Sequence, residues 1–236
     1  MVLFLTSSPT GDLDGAYVPD GIDTRSGFLD MLRERWKQPS RGVIISAFPD
    51  NFPANDEMRG FFEDACIRSG LGLSCFDVWD FRTEDTSRER LMSYDVIFLG
   101  GGHVPTQNAF FAELSLREKL QGFDGIVIGI SAGSMNCAEL VYASPEEPGE
   151  AVDPDYRRFF PGLGLTRTNV LPHYQLVKDD IKDGIPLFSA IVLPDSRGRE
   201  FVILPDGSFV LEENGTRGIY GPHHIVSNGF MSPEYQ

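Results

Sequence analysis

Apolar and polar positions along this chain follow two rhythms. Runs that are nearly all apolar, at residues 2–7, 42–47, 73–78, 95–100 and 125–130, read as short strands buried on both faces. Between and after them lie stretches of helical period, at 24–37, 55–69, 86–93, 105–120 and 132–142. In the second of these Met58, Phe61, Phe62, Ala65 and Cys66 share one side, and Gly70 supplies a stop. Strand alternating with helix predicts an α/β fold whose mostly parallel sheet is covered on both faces. Beyond residue 143 the rhythm breaks. Residues 144–161 are rich in Pro, Glu and Asp and read as an exposed loop, and 168–172 reads as a further strand. Two β pieces at 200–204 and 208–213 flank Pro205-Asp206-Gly207 and read as a C-terminal β-hairpin at about 200–213. With no long linker or repeat, 1–236 is expected to be a single domain.

The most informative stretch is Gly129-Ile130-Ser131-Ala132-Gly133, where the fifth apolar run passes directly into residues that can start a helix. This is the pattern of a nucleophile elbow. Such a turn is too tight for a side chain at either glycine. It lifts the Ser131 hydroxyl clear of the backbone and aims the Ala132 N–H at the position where an oxyanion forms. A serine hydroxyl is a weak nucleophile at neutral pH, so it needs a base, and the base needs an orienting acid. Of the four histidines, His173 stands at the C-terminal end of the strand at 168–172, the edge where sites assemble in open α/β sheets. It is the candidate base. The acid is left open by spacing among Asp206, Asp195, Asp153 and Asp155. A second oxyanion donor is expected from Gly102, in the run Gly100-Gly101-Gly102 that ends the strand at 95–100 before His103. Neither a Gly-x-Gly-x-x-Gly pattern nor a Walker lysine accompanies these glycines, which argues against a phosphate cradle.

These pieces together resemble the serine peptidase family of dipeptidase E (aspartyl dipeptidase) and cyanophycinase. The resemblance rests on Gly100-Gly101-Gly102, the elbow at 129–133, Pro172-His173-Tyr174 and Leu204-Pro205-Asp206-Gly207, in the family's order and at about its spacing, over nearly the whole chain. It implies a flavodoxin-like three-layer sandwich similar to class I glutamine amidotransferases. It also implies Ser131 as nucleophile, His173 as base, Gly102 and Ala132 as oxyanion donors, and Asp206 as the third member of the triad. An acid soon after the elbow, equivalent to Asp153 or Asp155, is the family's other option. The chain departs from the family at two places. His103 stands where aspartyl dipeptidases often carry Asn, and the segment after His173 lacks their longer Arg-containing stretch. Arg167, Lys178 and Lys182 are the candidate cations for an acidic substrate side chain.

Composition narrows the partners. A formal net charge of -15 argues against nucleic acid and gives no attraction to anionic lipid. No run reaches the roughly 18 apolar residues of a membrane helix, and the N-terminus reads as a first strand rather than a signal peptide. Three widely spaced cysteines, Cys66, Cys75 and Cys137, form no metal-binding pair and suit a reducing, cytoplasmic setting; Cys137 reads as a small buried residue. The expectation is therefore a serine peptidase acting on a small peptide substrate, without cofactor or metal, as a monomer or homodimer. Two rivals are an α/β-hydrolase esterase using Ser131, Asp206 and His224, and a ligand- or partner-binding member of the same fold without catalysis.

Overall fold

The five apolar runs become five parallel strands: β1 (Val2–Thr6), β2 (Ser40–Ile45), β3 (Leu73–Trp79), β4 (Val96–Leu99) and β5 (Ile126–Ile130). The computed structural model describes residues 1–10 and 21–236. Two antiparallel strands, Phe209–Glu213 and Thr216–Tyr220, extend the sheet beyond β1, so that its order is Thr216–Tyr220, Phe209–Glu213, β1, β5, β4, β2, β3. The order reverses between β2 and β4, which makes the C-terminal ends of these strands a topological switch point.

Alternation along each strand divides the core. Leu3, Leu5, Val43, Ile45, Ile97, Leu99 and Val127 face one way; Phe4, Ile44, Val96, Phe98, Ile126 and Ile128 face the other. The second face is covered by α1 (Phe28–Arg35) and α2 (Phe52–Arg68), through Phe28, Leu29, Leu32, Phe62, Ala65 and Cys66. The first is covered by α3 (Arg88–Met92), α4 (Val104–Glu113), α5 (Leu116–Lys119) and α6 (Ala132–Asn136). Side chains so buried contribute about 1.5–3 kcal/mol each relative to exposure. This is a three-layer α/β sandwich around a mostly parallel sheet, as the sequence predicts.

Several boundaries differ, each for a local reason. Helix α2 starts three residues earlier than its periodicity suggests, because Asn51 accepts the Ala54 N–H as N-cap and Pro53 fits the first turn. The helix expected at 105–120 is split by Ser115, whose φ of 50° is left-handed. The helix after the elbow ends at Asn136, not at residue 142. Leu140–Tyr142 (β6) instead pairs with Phe159–Pro161 (β7), two β-favouring runs zipped across the intervening loop. That loop is not simply exposed, since Ser144 is buried and Glu146 and Glu150 are partly so.

The expected hairpin at 200–213 is corrected. Glu200–Ile203 and Phe209–Glu213 belong to different sheets. Glu200–Ile203 pairs parallel with Asn169–Leu171 (β8) and antiparallel with His224–Ser227, in a four-stranded sheet that packs on the α3–α6 side of the core. Phe201, Val202 and Ile203 are all fully buried, so this strand needs neighbours on both edges and cannot fold back on its successor. The turn at 205–207 is thus a crossing between sheets.

Candidate active site

The elbow has the geometry its glycines require. Ser131 holds φ 50° and ψ −112°, a strained conformation for a residue with a side chain, directly between β5 and α6. A Cβ at Gly129 would meet the Ser134 backbone nitrogen at 2.7 Å, and one at Gly133 would meet the Leu99 carbonyl oxygen at 2.1 Å. The helix therefore passes too close to β5 and β4 for any larger residue. Ser134 donates its hydroxyl hydrogen to the Thr6 carbonyl at 2.8 Å, which anchors the first turn of α6 to β1.

The glycine loop after β4 lies against Ser131. A Cβ on Gly101 would stand 3.5 Å from Ser131 Cβ. Gly102 has φ +155°, and Phe48 and Ala47 fill the space where its side chain would be, with contacts of 2.5 and 2.6 Å. Ala132 is the first residue of α6, so its N–H has no partner within the helix. The first turn of α6 and the glycine loop thus both adjoin the Ser131 side chain.

His173 reaches the same sheet edge from the second sheet. Leu171 and Ile203 are in register across the parallel pair, and the Tyr174 N–H donates to the Leu204 carbonyl at 3.2 Å. The two strand ends therefore deliver His173 and Asp206 together. Asp206 Oδ1 accepts from His173 Nδ1 at 2.8 Å. Its carboxylate also accepts from Ser7 Oγ and from Gln175 Nε2, and its own N–H donates to Gln175 Oε1 at 3.2 Å. Burial would raise the Asp206 pKa, but the hydrogen bonds from His173, Ser7 and Gln175, with the His173 charge, outweigh it and hold the carboxyl below its usual range.

Ser7 and Gln175 were not singled out by sequence. Ser7 is fully buried and follows β1, whose Thr6 pairs with Ile130 and whose carbonyl accepts the Ser131 N–H at 3.1 Å. Ser7 and Ser131 therefore leave adjacent strands side by side, at the usual spacing of about 4.8 Å between strands. Ser7 Oγ accepts the His173 backbone N–H at 2.8 Å, which ties the imidazole to the edge that carries Ser131. Among the described residues, Ser131 Oγ and His173 Nε2 have no hydrogen-bond partner. No motif in the sequence marks Ser7, a small polar residue at the end of the first apolar run.

The other candidates lie elsewhere. Asp195 pairs with Tyr142 and Arg158, and burial raises its pKa. Asp153 caps the turn to Asp155, and both are exposed. His224 Nδ1 donates to the Ser232 carbonyl at 3.1 Å and the ring packs edge-on against Tyr174; among the described residues it makes no bond to Asp206. Arg167 pairs with Glu139 and is 92% exposed, at the opposite end of β8 from His173; Lys182 pairs with Asp180 and Lys178 is exposed. His103 is the residue before α4, and its ring bonds Thr106 Oγ1 at 2.7 Å and Glu150 at 2.9 Å. Glu150 also accepts the N–H groups of Glu146 and Glu147, and Asp183 accepts those of Gly149 and Ala151. The loop after β6 is thereby fastened both to the residue after Gly102 and to the segment that follows His173. Cys137 is buried, as expected, and burial pushes its thiol pKa up, away from reactivity.

Among the described residues no group of His, Cys, Asp and Glu side chains is arranged to hold a metal ion, and no helix is long and apolar enough to cross a membrane.

Comparison with known proteins bears on the family and the fold. The model of peptidase family S51 matches residues 69–219. A peptidase from an acI-B1 Actinobacterium shares the fold at a TM-score of 0.68 and 18% identity, over 99% of this chain and 92% of its own. A putative peptidase E protein from Listeria monocytogenes EGD-e does so at 0.56 and 16% identity, over 92% and 96%. No curated protein matches the chain.

Proposed function

The chain belongs to peptidase family S51 and is a serine-type peptidase, and from that premise we propose that it cleaves short peptides through Ser131, His173 and Asp206. In this reading Ser131 Oγ attacks the scissile carbonyl carbon and His173 Nε2 takes its proton. The oxyanion of the tetrahedral intermediate is bound by the N–H groups of Gly102 and Ala132, each donor being worth about 3 kcal/mol at the transition state. His173 then protonates the leaving amine, which departs and leaves an acyl-enzyme. Water, deprotonated by the same nitrogen, releases the acid and restores Ser131.

The observation that carries the reading is the His173 Nδ1–Asp206 bond of 2.8 Å, made at the strand end whose Ser7 adjoins Ser131. An ionised carboxylate can only accept, so Nδ1 carries the hydrogen, and in the neutral imidazole Nε2 keeps its lone pair for Ser131. The bond between Ser131 Oγ and His173 Nε2 forms in the complex with substrate. An esterase reading through His224 gains no support, because Asp206 pairs with His173.

Substrate size is part of the proposal, whereas aspartyl selectivity is not. Of the cations named for an acidic side chain, Arg167 and Lys182 are ion-paired and Lys178 is exposed. Three free cysteines suit a reducing compartment, which supports a cytoplasmic setting. The test is labelling by a fluorophosphonate probe and turnover of a dipeptide library, acidic members included. Native protein labelled at Ser131, with labelling and turnover lost in Ser131→Ala, is the expected result. Protein that resists the probe is a non-catalytic member of the fold.

A further inference from the structure

We propose that Ser7 is a positioning residue of this hydrolytic site: its hydroxyl fastens the His173–Asp206 pair to the strand end beside Ser131 and directs the His173 hydrogen to Nδ1. The proposal rests on the reading of Ser131, His173 and Asp206 given above. It follows from accounting for hydrogens. The His173 backbone N–H lies 2.8 Å from Ser7 Oγ, so there the hydroxyl accepts. The same oxygen carries one hydrogen, and Asp206 Oδ1, an acceptor, is in close contact with it. That hydrogen is therefore spent on Asp206. Ser7 Oγ is also 3.3 Å from His173 Nδ1 but has no hydrogen left to give. Nδ1, 2.8 Å from Oδ1, must bring its own. In the neutral imidazole Nε2 is then the bare nitrogen.

Ser7 does two further things. Residue 173 has a φ of 55°, which a residue with a side chain holds only when its surroundings impose it. The bond from its N–H to Ser7 is one such restraint. Asp206 is gripped from both sides, by Ser7 and His173 on Oδ1 and by Gln175 on Oδ2, so its carboxylate plane is set. Ser7 is completely buried and follows a strand in register with β5. The position of the imidazole relative to Ser131 is thus referred to the sheet itself.

A hydrogen bond to a charged acceptor is worth roughly 10- to 100-fold in an equilibrium or rate. The experiment measures the second-order rate of fluorophosphonate labelling at Ser131 for wild type, Ser7→Ala, Ser7→Cys and Ser7→Thr, each also in an Asp206→Ala background. Ser7→Ala, and the near-isosteric Ser7→Cys with its weak donor, should label about 10- to 100-fold more slowly, and Ser7→Thr should recover most of the rate. In the Asp206→Ala background, replacing Ser7 should cost several-fold less than in the wild-type background, because the part that acts through the carboxylate is gone and only the bond to the His173 N–H remains. A low-field proton resonance from His173 Nδ1–H, read without substrate, should shift in Ser7→Ala. Unchanged labelling in both Ser7→Ala and Ser7→Cys, or an equal loss in the two backgrounds, overturns the proposal. A wild-type protein that does not label at Ser131 overturns the hydrolase reading itself, and this proposal with it.

Discussion

Replacing Asp206 by Asn changes one atom's charge and leaves the volume alone, so its effect isolates what the carboxylate does. The carboxylate accepts from His173 Nδ1, Ser7 Oγ and Gln175 Nε2. An amide offers one accepting oxygen and one donating nitrogen. If the oxygen keeps His173 and Ser7, the new NH2 faces Gln175 Nε2. Gln175 cannot turn over freely, because its Oε1 takes the N–H of residue 206. An unmatched pair of donors costs about 1–3 kcal/mol. If the nitrogen turns to His173 instead, the ring must move its hydrogen to Nε2, and Nε2 can no longer take the Ser131 proton. A wrong tautomer of this kind lowers kcat by about four orders of magnitude, near 5–6 kcal/mol of barrier. Asp206→Asn should therefore label with fluorophosphonate about 10³- to 10⁴-fold more slowly than wild type. Asp195→Asn is the control: Asp195 bonds Tyr142 and Arg158, and the variant should label at the wild-type rate. Rates of the two variants compared by intact-protein mass spectrometry decide it. Labelling of Asp206→Asn within tenfold of wild type would refute the argument, and so would a large loss in Asp195→Asn.

Three other outcomes are expected. Gly133→Ala puts a methyl 2.1 Å from the Leu99 carbonyl oxygen, backbone that cannot move aside, so thermal denaturation should show a loss of more than about 3 kcal/mol or no folded protein. Glu146 has a pKa pushed up to about 7, chiefly by burial and then by the charges of Glu150 and Glu147, with Lys182 and the Val104 N–H opposing. Its folded form holds a proton that the unfolded chain has released, so stability falls as pH rises from about 4.5 to 7. Glu146→Gln should raise the melting midpoint at pH 8, by free energy on the order of 3 kcal/mol, with the difference gone by pH 4.5; a pH-independent change would contradict this. His103→Ala and Glu150→Ala should each slow peptide hydrolysis, while the double variant is no slower than the worse single one, because the two side chains act as one clamp beside Gly102; additive losses would show that they do not.

Periodicity was enough for the layers of this molecule. Strands buried on both faces have to be nearly continuous in apolar residues, so β1 to β5 were legible within a residue or two. The elbow was legible because only glycine fits at 129 and 133. Local signals failed where a segment's partner lies far off in sequence. Residues 140–142 continue a helical pattern but pair with 159–161, and the strands at 200–203 and 209–213 look like a hairpin until their real neighbours, β8 and β1, are known.

The candidate site divides in the same way. Ser131, Gly102 and Ala132 are close in space because β4 and β5 are adjacent and each ends in a turn of recognisable composition; chain chemistry alone points to them. The choice of acid is another matter. Asp206, Asp195, Asp153 and Asp155 each stand next to a proline, and nothing local separates them. Parallel pairing of Leu171 with Ile203 separates them, by bringing one aspartate to the imidazole and leaving the others at separate turns and ion pairs. Ser7, 166 residues from His173, is a small polar residue with no motif around it. Its role comes from the contact between two sheets, and such contacts depend on how whole layers pack, which no window of sequence records.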